Sequence, residues 1–150
     1  MVSLALYEPE IPQNTGTLLR LGACLGVPVH IIEPCSFVWD DGRLRRSGMD
    51  YISHVHLERH ATFENFTQKI PGRLILLDVK ATVSYINFPF TPNDTLILGR
   101  ESTGVPDSVF SKCTPIRIPM CAHQRSLNVA VAAAMVLGEA LRQTNLFPKT

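Results

Sequence analysis

Apolar and polar positions in this chain fall into short blocks, and their spacing separates strands from helices. Val2 to Tyr7 is an apolar run of strand length, ended by Glu8-Pro9. Pro12 then stands where a helix can begin, with Asn14 or Thr15 near its start. Leu18, Leu21, Gly22 and Leu25 recur at i, i+3, i+4 and i+7, which predicts one packed face. Arg20 shares the neighbouring stripe with Thr17 and Gln13. Gly26 ends the helix. Val27 to Ile32 reads as a second strand, stopped at Glu33-Pro34. Strand, helix and strand within about thirty residues predict a parallel βαβ unit.

The same reading continues down the chain. Ile52 to Leu57 alternates with polar residues and predicts a strand. A weak helix comes next over Thr62 to Ile70, capped by Thr62 and stopped by Pro71-Gly72. Leu74 to Leu77 and Thr95 to Leu98 read as buried strands. Between them, Ala81 to Pro92 is loop with at most one helical turn. Gly104 or Pro106 opens a short helix that runs to Lys112, and Pro115 to Met120 forms a last strand. A final helix is expected from Ser126, a good N-cap, to Arg142. From Leu127 to Gly138 only Asn128 is polar, so this helix is expected to be buried all round. It is too short to span a bilayer. Residues past Asn145 read as a tail.

These elements predict an α/β fold. Strands that feed helices in a parallel sheet put their loops on one edge, where open α/β sheets bind ligands. Three loops stand out there: Leu77 to Lys80, Gly99 to Gly104, and Pro119 to Asn128. Ser126 and Asn128 are polar side chains at the mouth of an apolar helix, whose free N–H groups can take ligand oxygens. That pattern favours a ligand-binding mouth over a plain cap.

Composition narrows the chemistry. The 150 residues are expected to form one domain with a sizeable core. A net charge of +1 excludes an overall electrostatic glove for nucleic acid, so any such contact must come from a local patch. Cys24, Cys35, Cys113 and Cys121 form no C-x-x-C pair, which argues against a zinc site and a disulfide framework. Buried free thiols in a reducing cytoplasm are expected, with no metal, signal peptide or membrane span. His54, His56 and His60 are expected at the surface. In WDDGRLRRSGMDY, Asp40 or Asp41 can cap a short helix carrying Arg43, Arg45 and Arg46. A solvated charged face and a phosphate-holding patch explain that run equally well. No G-x-G-x-x-G, G-x-x-x-x-G-K-[ST] or G-x-S-x-G is present.

Taken together, three patterns resemble a known family. They are Asn14-x-Gly16-x-x-x-Arg20, Leu98-Gly99-x-Glu101-x-x-Gly104-x-Pro106, and Ile118-Pro119-Met120 followed by Ser126-Leu127-Asn128. They look like the three motifs of the SPOUT methyltransferases. YEPEIPQNTGTLLRLGACLG, HIIEP and WDDGRLRRSGMDY resemble the minimal branch, tRNA 2′-O-methyltransferases acting on the wobble nucleotide, cytidine or modified uridine, of leucine tRNAs.

The resemblance implies a parallel sheet with helices on both faces and a C-terminal deep trefoil knot. It also implies a homodimer, S-adenosylmethionine as cofactor, and the anticodon stem-loop of tRNA as partner. By position it makes Leu77, Gly99, Ile118, Met120, Ser126 and Leu127 the cofactor-binding residues. Arg20 would act in catalysis with Asn14, Glu101, Ser126 and Asn128. An arginine stays protonated in proteins, so orientation and charge stabilisation suit it better than proton abstraction. Arg43, Arg45, Arg46 and Arg125 become the expected RNA contacts.

The chain departs from the pattern in two places. Asp78-Val79 stands where relatives often carry a threonine pair, and Arg100 stands where some wobble-acting relatives carry proline. Two other classes compete. A non-catalytic RNA-binding relative is disfavoured because Arg20 and Ser126-Leu127-Asn128 are present. A flavodoxin-like mononucleotide binder is disfavoured because Glu8 to Pro12 is too acidic and proline-rich to cradle phosphate.

Overall fold

The computed structural model describes residues 1–42 and 50–150. Among the described residues, six strands cover Ser3–Tyr7 (β1), Val29–Ile32 (β2), Leu57–His60 (β3), Leu74–Leu77 (β4), Thr95–Leu98 (β5) and Thr114–Ile116 (β6). They form one sheet in the order β3-β2-β1-β5-β4-β6. Every pairing is parallel. Side chains of a strand alternate between faces, and each face has its own core. Leu4 and Leu6 join the cluster that holds Leu18, Leu19, Ala133 and Leu137. Ala5 and Tyr7 join the opposite cluster with Phe63, Phe66 and Val109. The helices that cover these faces are Pro12–Leu25 (α1) and Val129–Thr144 (α4) on one side, with Phe63–Lys69 (α2) and Asp107–Phe110 (α3) on the other.

The first βαβ unit forms as its sequence predicts, with one rotation. The buried face of α1 is Thr15, Gly16, Leu18, Leu19 and Gly22, whereas Leu21 and Leu25 are only partly buried. Gly22 sets this face. A Cβ there would lie 2.6 Å from Val29 Cγ2 and 2.8 Å from the Val27 carbonyl oxygen, so α1 rests directly on β2. Gly26 closes the helix in the left-handed region, at φ 65. Helix α2 is capped as expected, the Thr62 hydroxyl accepting from Asn65 N at 3.0 Å.

Several expectations are corrected. The strand foreseen over Ile52 to Leu57 starts only at Leu57; Asp50–Ser53 is a 3-10 turn. The spacing that counts there is Ile52 to Val55, three apart, which turns both side chains into the core beneath α1. The last helix begins at Val129, and its cap is Asn128 rather than Ser126. It is not buried all round either. Ala130, Ala133, Val136, Leu137, Ala140 and Leu141 face the sheet, but Val131 and Met135 are 51% and 41% exposed. Cys24 and Cys121 are exposed, not buried, although all four thiols are free. His60 is buried, not superficial. It pairs with His30 on the neighbouring strand, Nδ1 of His30 lying 3.0 Å from Nε2 of His60, and Phe66 packs edge-on to both rings. Glu58 completes a group of three potential ligand atoms within 4.8 Å of one another, though its carboxylate is also held by Lys69. No helix among the described residues is long and apolar enough to cross a membrane.

Candidate active site

Parallel strands deliver their C-terminal loops to one edge, and the ends of β4, β5 and β6 do so around a cavity of about 540 Å³. Its apolar part comes from the strand ends Leu77, Leu98 and Ile116, and from Ile118 and Met120 just beyond β6. Leu127, Val129 and Ala132 close the far side, and Asp78, Glu101, Ser126 and Asn128 supply polar groups. The arrangement suits a ligand with one flat apolar part and several hydrogen-bonding groups.

The Gly99 to Gly104 loop is tightly drawn. Arg100 and Gly104 exchange backbone hydrogen bonds of 3.0 and 2.9 Å, and Arg100 Nε donates to the Gly104 carbonyl at 3.0 Å. A Cβ on Gly99 would lie 2.8 Å from Gly104 Cα. Gly99 is therefore required first by the loop itself. Gly104 is in the left-handed region, at φ 66, which a side chain disfavours.

This loop is fastened to the start of α1 by two carboxylates. Glu101 accepts from the backbone N–H of Glu10 at 2.9 Å and of Ile11 at 3.3 Å. Glu10 in return accepts from Ser102 N at 2.9 Å and from its hydroxyl at 2.8 Å. The Ser102 backbone N–H, and then its hydroxyl, hold the Glu10 carboxyl below the usual range. Asp78 Oδ1 accepts from Lys80 N at 2.8 Å, shaping the first loop. Its other oxygen faces Gly104, 3.8 Å from where a Cβ would stand.

Asn128 joins the third loop to α1. Its Oδ1 caps α4 by accepting from Ala130 N at 2.9 Å and Val131 N at 3.2 Å, while its Nδ2 donates to Asn14 Oδ1 at 3.0 Å. The cavity lining thus includes Asn14, Leu77, Gly99, Glu101, Ile118 and Met120, together with Ser126, Leu127 and Asn128. Arg20 is outside that lining, on the exposed side of α1. Arg125 is exposed in the loop next to Ser126. Arg43, Arg45 and Arg46 lie outside the described residues.

Sequence reasoning missed Glu10. Two acidic residues beside Pro9 argued only against phosphate there. No local signal marked it, because its partner Ser102 comes 92 residues later.

Residues 1–138 match the SpoU rRNA Methylase family. The chain belongs to that family. Among individual SpoU relatives, some match over nearly their whole length. The tRNA (cytidine(34)-2′-O)-methyltransferase of Beijerinckia indica is 53% identical over 150 residues, spanning 97% of this chain and 94% of the relative. A solved structure described as giving insight into 2-OH methylation of C/U34 on tRNA superposes with TM-score 0.90 at 39% identity, covering 95% of each chain. The SpoU methyltransferase AviRb from Streptomyces viridochromogenes, in complex with AdoMet, has TM-score 0.81 and 25% identity over 95% of this chain and 60% of its own.

Proposed function

We propose that this protein transfers a methyl group from S-adenosylmethionine to the ribose 2′-OH of nucleotide 34, cytidine or modified uridine, of leucine tRNAs. The observation that carries the reading is the meeting of the three loops, together with Asn14 of the first motif, around one cavity. The names of its relatives support the nucleotide and the donor. The sequence resemblance supports leucine tRNA as substrate.

The lining fits the donor. Leu77, Ile118, Met120 and Leu127 offer an apolar slot for adenine, and Asp78 turns one carboxylate oxygen towards the Gly99 to Gly104 loop. Bound there, S-adenosylmethionine supplies a methyl carbon open to displacement. The 2′-OH is a weak nucleophile until its proton is drawn away. Asn14 and Asn128 orient one another at the rim, and the Glu10–Glu101 clasp fixes the loop that faces them. Arg20 is assigned orientation and charge stabilisation as the 2′-oxygen gains charge.

The reading extends to the chain path and the assembly. Strand β5 lies between β1 and β4, β6 lies beyond β4, and α4 then returns to the first core. Just beyond β6, Arg117 N donates to the Val83 carbonyl at 2.8 Å and the Arg117 carbonyl accepts from Tyr85 N at 2.9 Å, and this close passage of the two segments supports a C-terminal trefoil knot. Exposed Val131 and Met135 on α4, with Ile11 at the start of α1, support a homodimer built on those helices. The same residues 1–150 form one SPOUT domain, and Arg125 with Arg43, Arg45 and Arg46 grips the anticodon stem-loop.

Incubation with labelled S-adenosylmethionine and total tRNA, followed by mapping, tests the reading. A ribose methyl at position 34 of leucine tRNAs is expected. Methylation of a base, of another position or of ribosomal RNA alone would overturn it.

A further inference from the structure

We propose that Phe37, Trp39 and Arg59 form a stacking site for an unpaired base of the RNA, beside the nucleotide that is methylated. This inference rests on the RNA-methylating reading above. The site is a second cavity, of about 370 Å³, lined by Glu33, Cys35, Phe37, Trp39, Arg59 and Ala61. Glu33 directly succeeds β2, and Arg59 lies at the end of β3. Because the sheet is parallel, this cavity opens on the edge that also carries the first one. From β2 to β4 there are three strand spacings, about 14 Å in all. Tyr7 and Glu8 at the end of β1 lie between, with the Arg100 guanidinium over the Tyr7 ring at 5.5 Å. A few nucleotides of single strand would span that gap.

The chemistry suits a base rather than a phosphate. The rings of Phe37 and Trp39 lie 26° from parallel with centroids 6.3 Å apart. The Arg59 guanidinium lies over Trp39, 5.0 Å from its centroid, and is ion-paired with Glu33. That pairing spends the positive charge locally, so the guanidinium acts here as a plane in line with the two rings, on whose partly exposed outer side a base can continue the stack. Trp39 is fixed further by its indole N–H, which donates to Asp41 at 2.7 Å. Protein sites that read single-stranded RNA stack splayed bases on aromatic rings and guanidinium planes in this manner. Trp39 and Phe37 are both partly exposed.

Trp39 is the single tryptophan of the chain, so its emission reports on this site alone. The test is titration with an end-labelled anticodon stem-loop RNA, tracked by both label anisotropy and tryptophan emission. Emission should be quenched along the same binding curve. The quench should vanish when one loop nucleotide close to position 34 is replaced by an abasic ribose. Phe37→Leu and Trp39→Ala should weaken RNA binding roughly five- to a hundredfold. S-adenosylmethionine affinity should stay unchanged, which separates this effect from misfolding. RNA that binds and is methylated while emission stays constant, or a quench indifferent to every abasic substitution, would overturn the stacking site alone. If the RNA is neither bound nor methylated, both the site and the reading beneath it fall.

Discussion

Asn128 and Asn14 stand 114 residues apart in sequence, and the amide of Asn128 donates to Oδ1 of Asn14 at 3.0 Å. The same side chain caps α4 through its other atom. One residue therefore holds a helix end and ties it to α1 at the cavity rim. Asn128→Ala should cost about 0.5–2 kcal/mol through the lost cap. For a domain of this size, that lowers Tm by roughly 2–4 °C for each kcal/mol. Asn128→Asp keeps the cap acceptor but loses the donor to Asn14. It should recover most of the stability and leave turnover impaired. Thermal melts and methylation rates of the two variants check this; equal turnover in Asn128→Asp and wild type would remove the rim role.

The His30–His60 pair makes stability pH-dependent. Burial, aided by the nearby His60 and opposed by Glu58, pushes His30 down to about 4. In the unfolded chain the same imidazole takes its proton near 6.5. The unfolded state therefore binds the extra proton between those values, and stability falls as pH drops through 6.5 until the loss levels off below about 4. Acidifying from pH 7 to 5 should cost about 2 kcal/mol through this group. Urea denaturation at both pH values should show that loss in the wild type and a much smaller one in His30→Gln. Equal losses would mean that His30 does not titrate in this way.

The exposed stripe of α4 bears on assembly. Val131 and Met135 are four residues apart, so they lie on one side of the helix, and both are about half exposed. A second copy covering this side is expected in solution. Met135→Glu would place a charge in that contact and should shift the protein towards monomer with little change in the monomer's own fold. Sedimentation at micromolar concentration reads the result. A wild-type monomer would refute the dimer, and a variant that stays dimeric would place the contact elsewhere.

Local spacing made much of this fold legible. The apolar runs marked β1, β4 and β5, and the Thr62 cap and Gly26 stop marked two helix ends. Legibility failed where partners lie far away in sequence. His60 looked like a surface residue because His30 meets it only through the pairing of β2 with β3. Glu10 looked unhelpful because its partner, Ser102, comes 92 residues later. Ser126 had every local feature of a helix cap, yet the competing side chain two residues on, Asn128, has a second partner in Asn14 and takes the position. The three loops were legible as strand ends that feed helices, whereas the individual cavity residues were named only through the resemblance to a family.

Arg20 is set apart from the cavity that its helix helps to line. Asn14 lines that cavity, and Arg20 comes six residues later on the same helix. At about 100° and 1.5 Å per residue, that is some 9 Å along the axis and about 240° around it. The guanidinium thus starts from the exposed side of α1, away from its own cavity. A dimer built on α1 and α4 offers it a second place to act, the partner's site. Arg20→Ala should slow single-turnover methylation at least about a hundredfold, as expected when one preorganised charge-stabilising group is lost. S-adenosylmethionine binding, read by calorimetry, should change within a few-fold. Gly99→Ala should do the opposite and fail at cofactor binding, because its Cβ would strike the Gly104 backbone and open the loop. Mixed dimers of the two variants then decide where Arg20 works. If it acts across the interface, a mixed dimer contains one complete site, with an intact loop from one protomer and an arginine from the other, and activity returns. If it acts within its own chain, no site is complete and the mixture stays inactive. Full activity of Arg20→Ala alone would remove the residue from the mechanism.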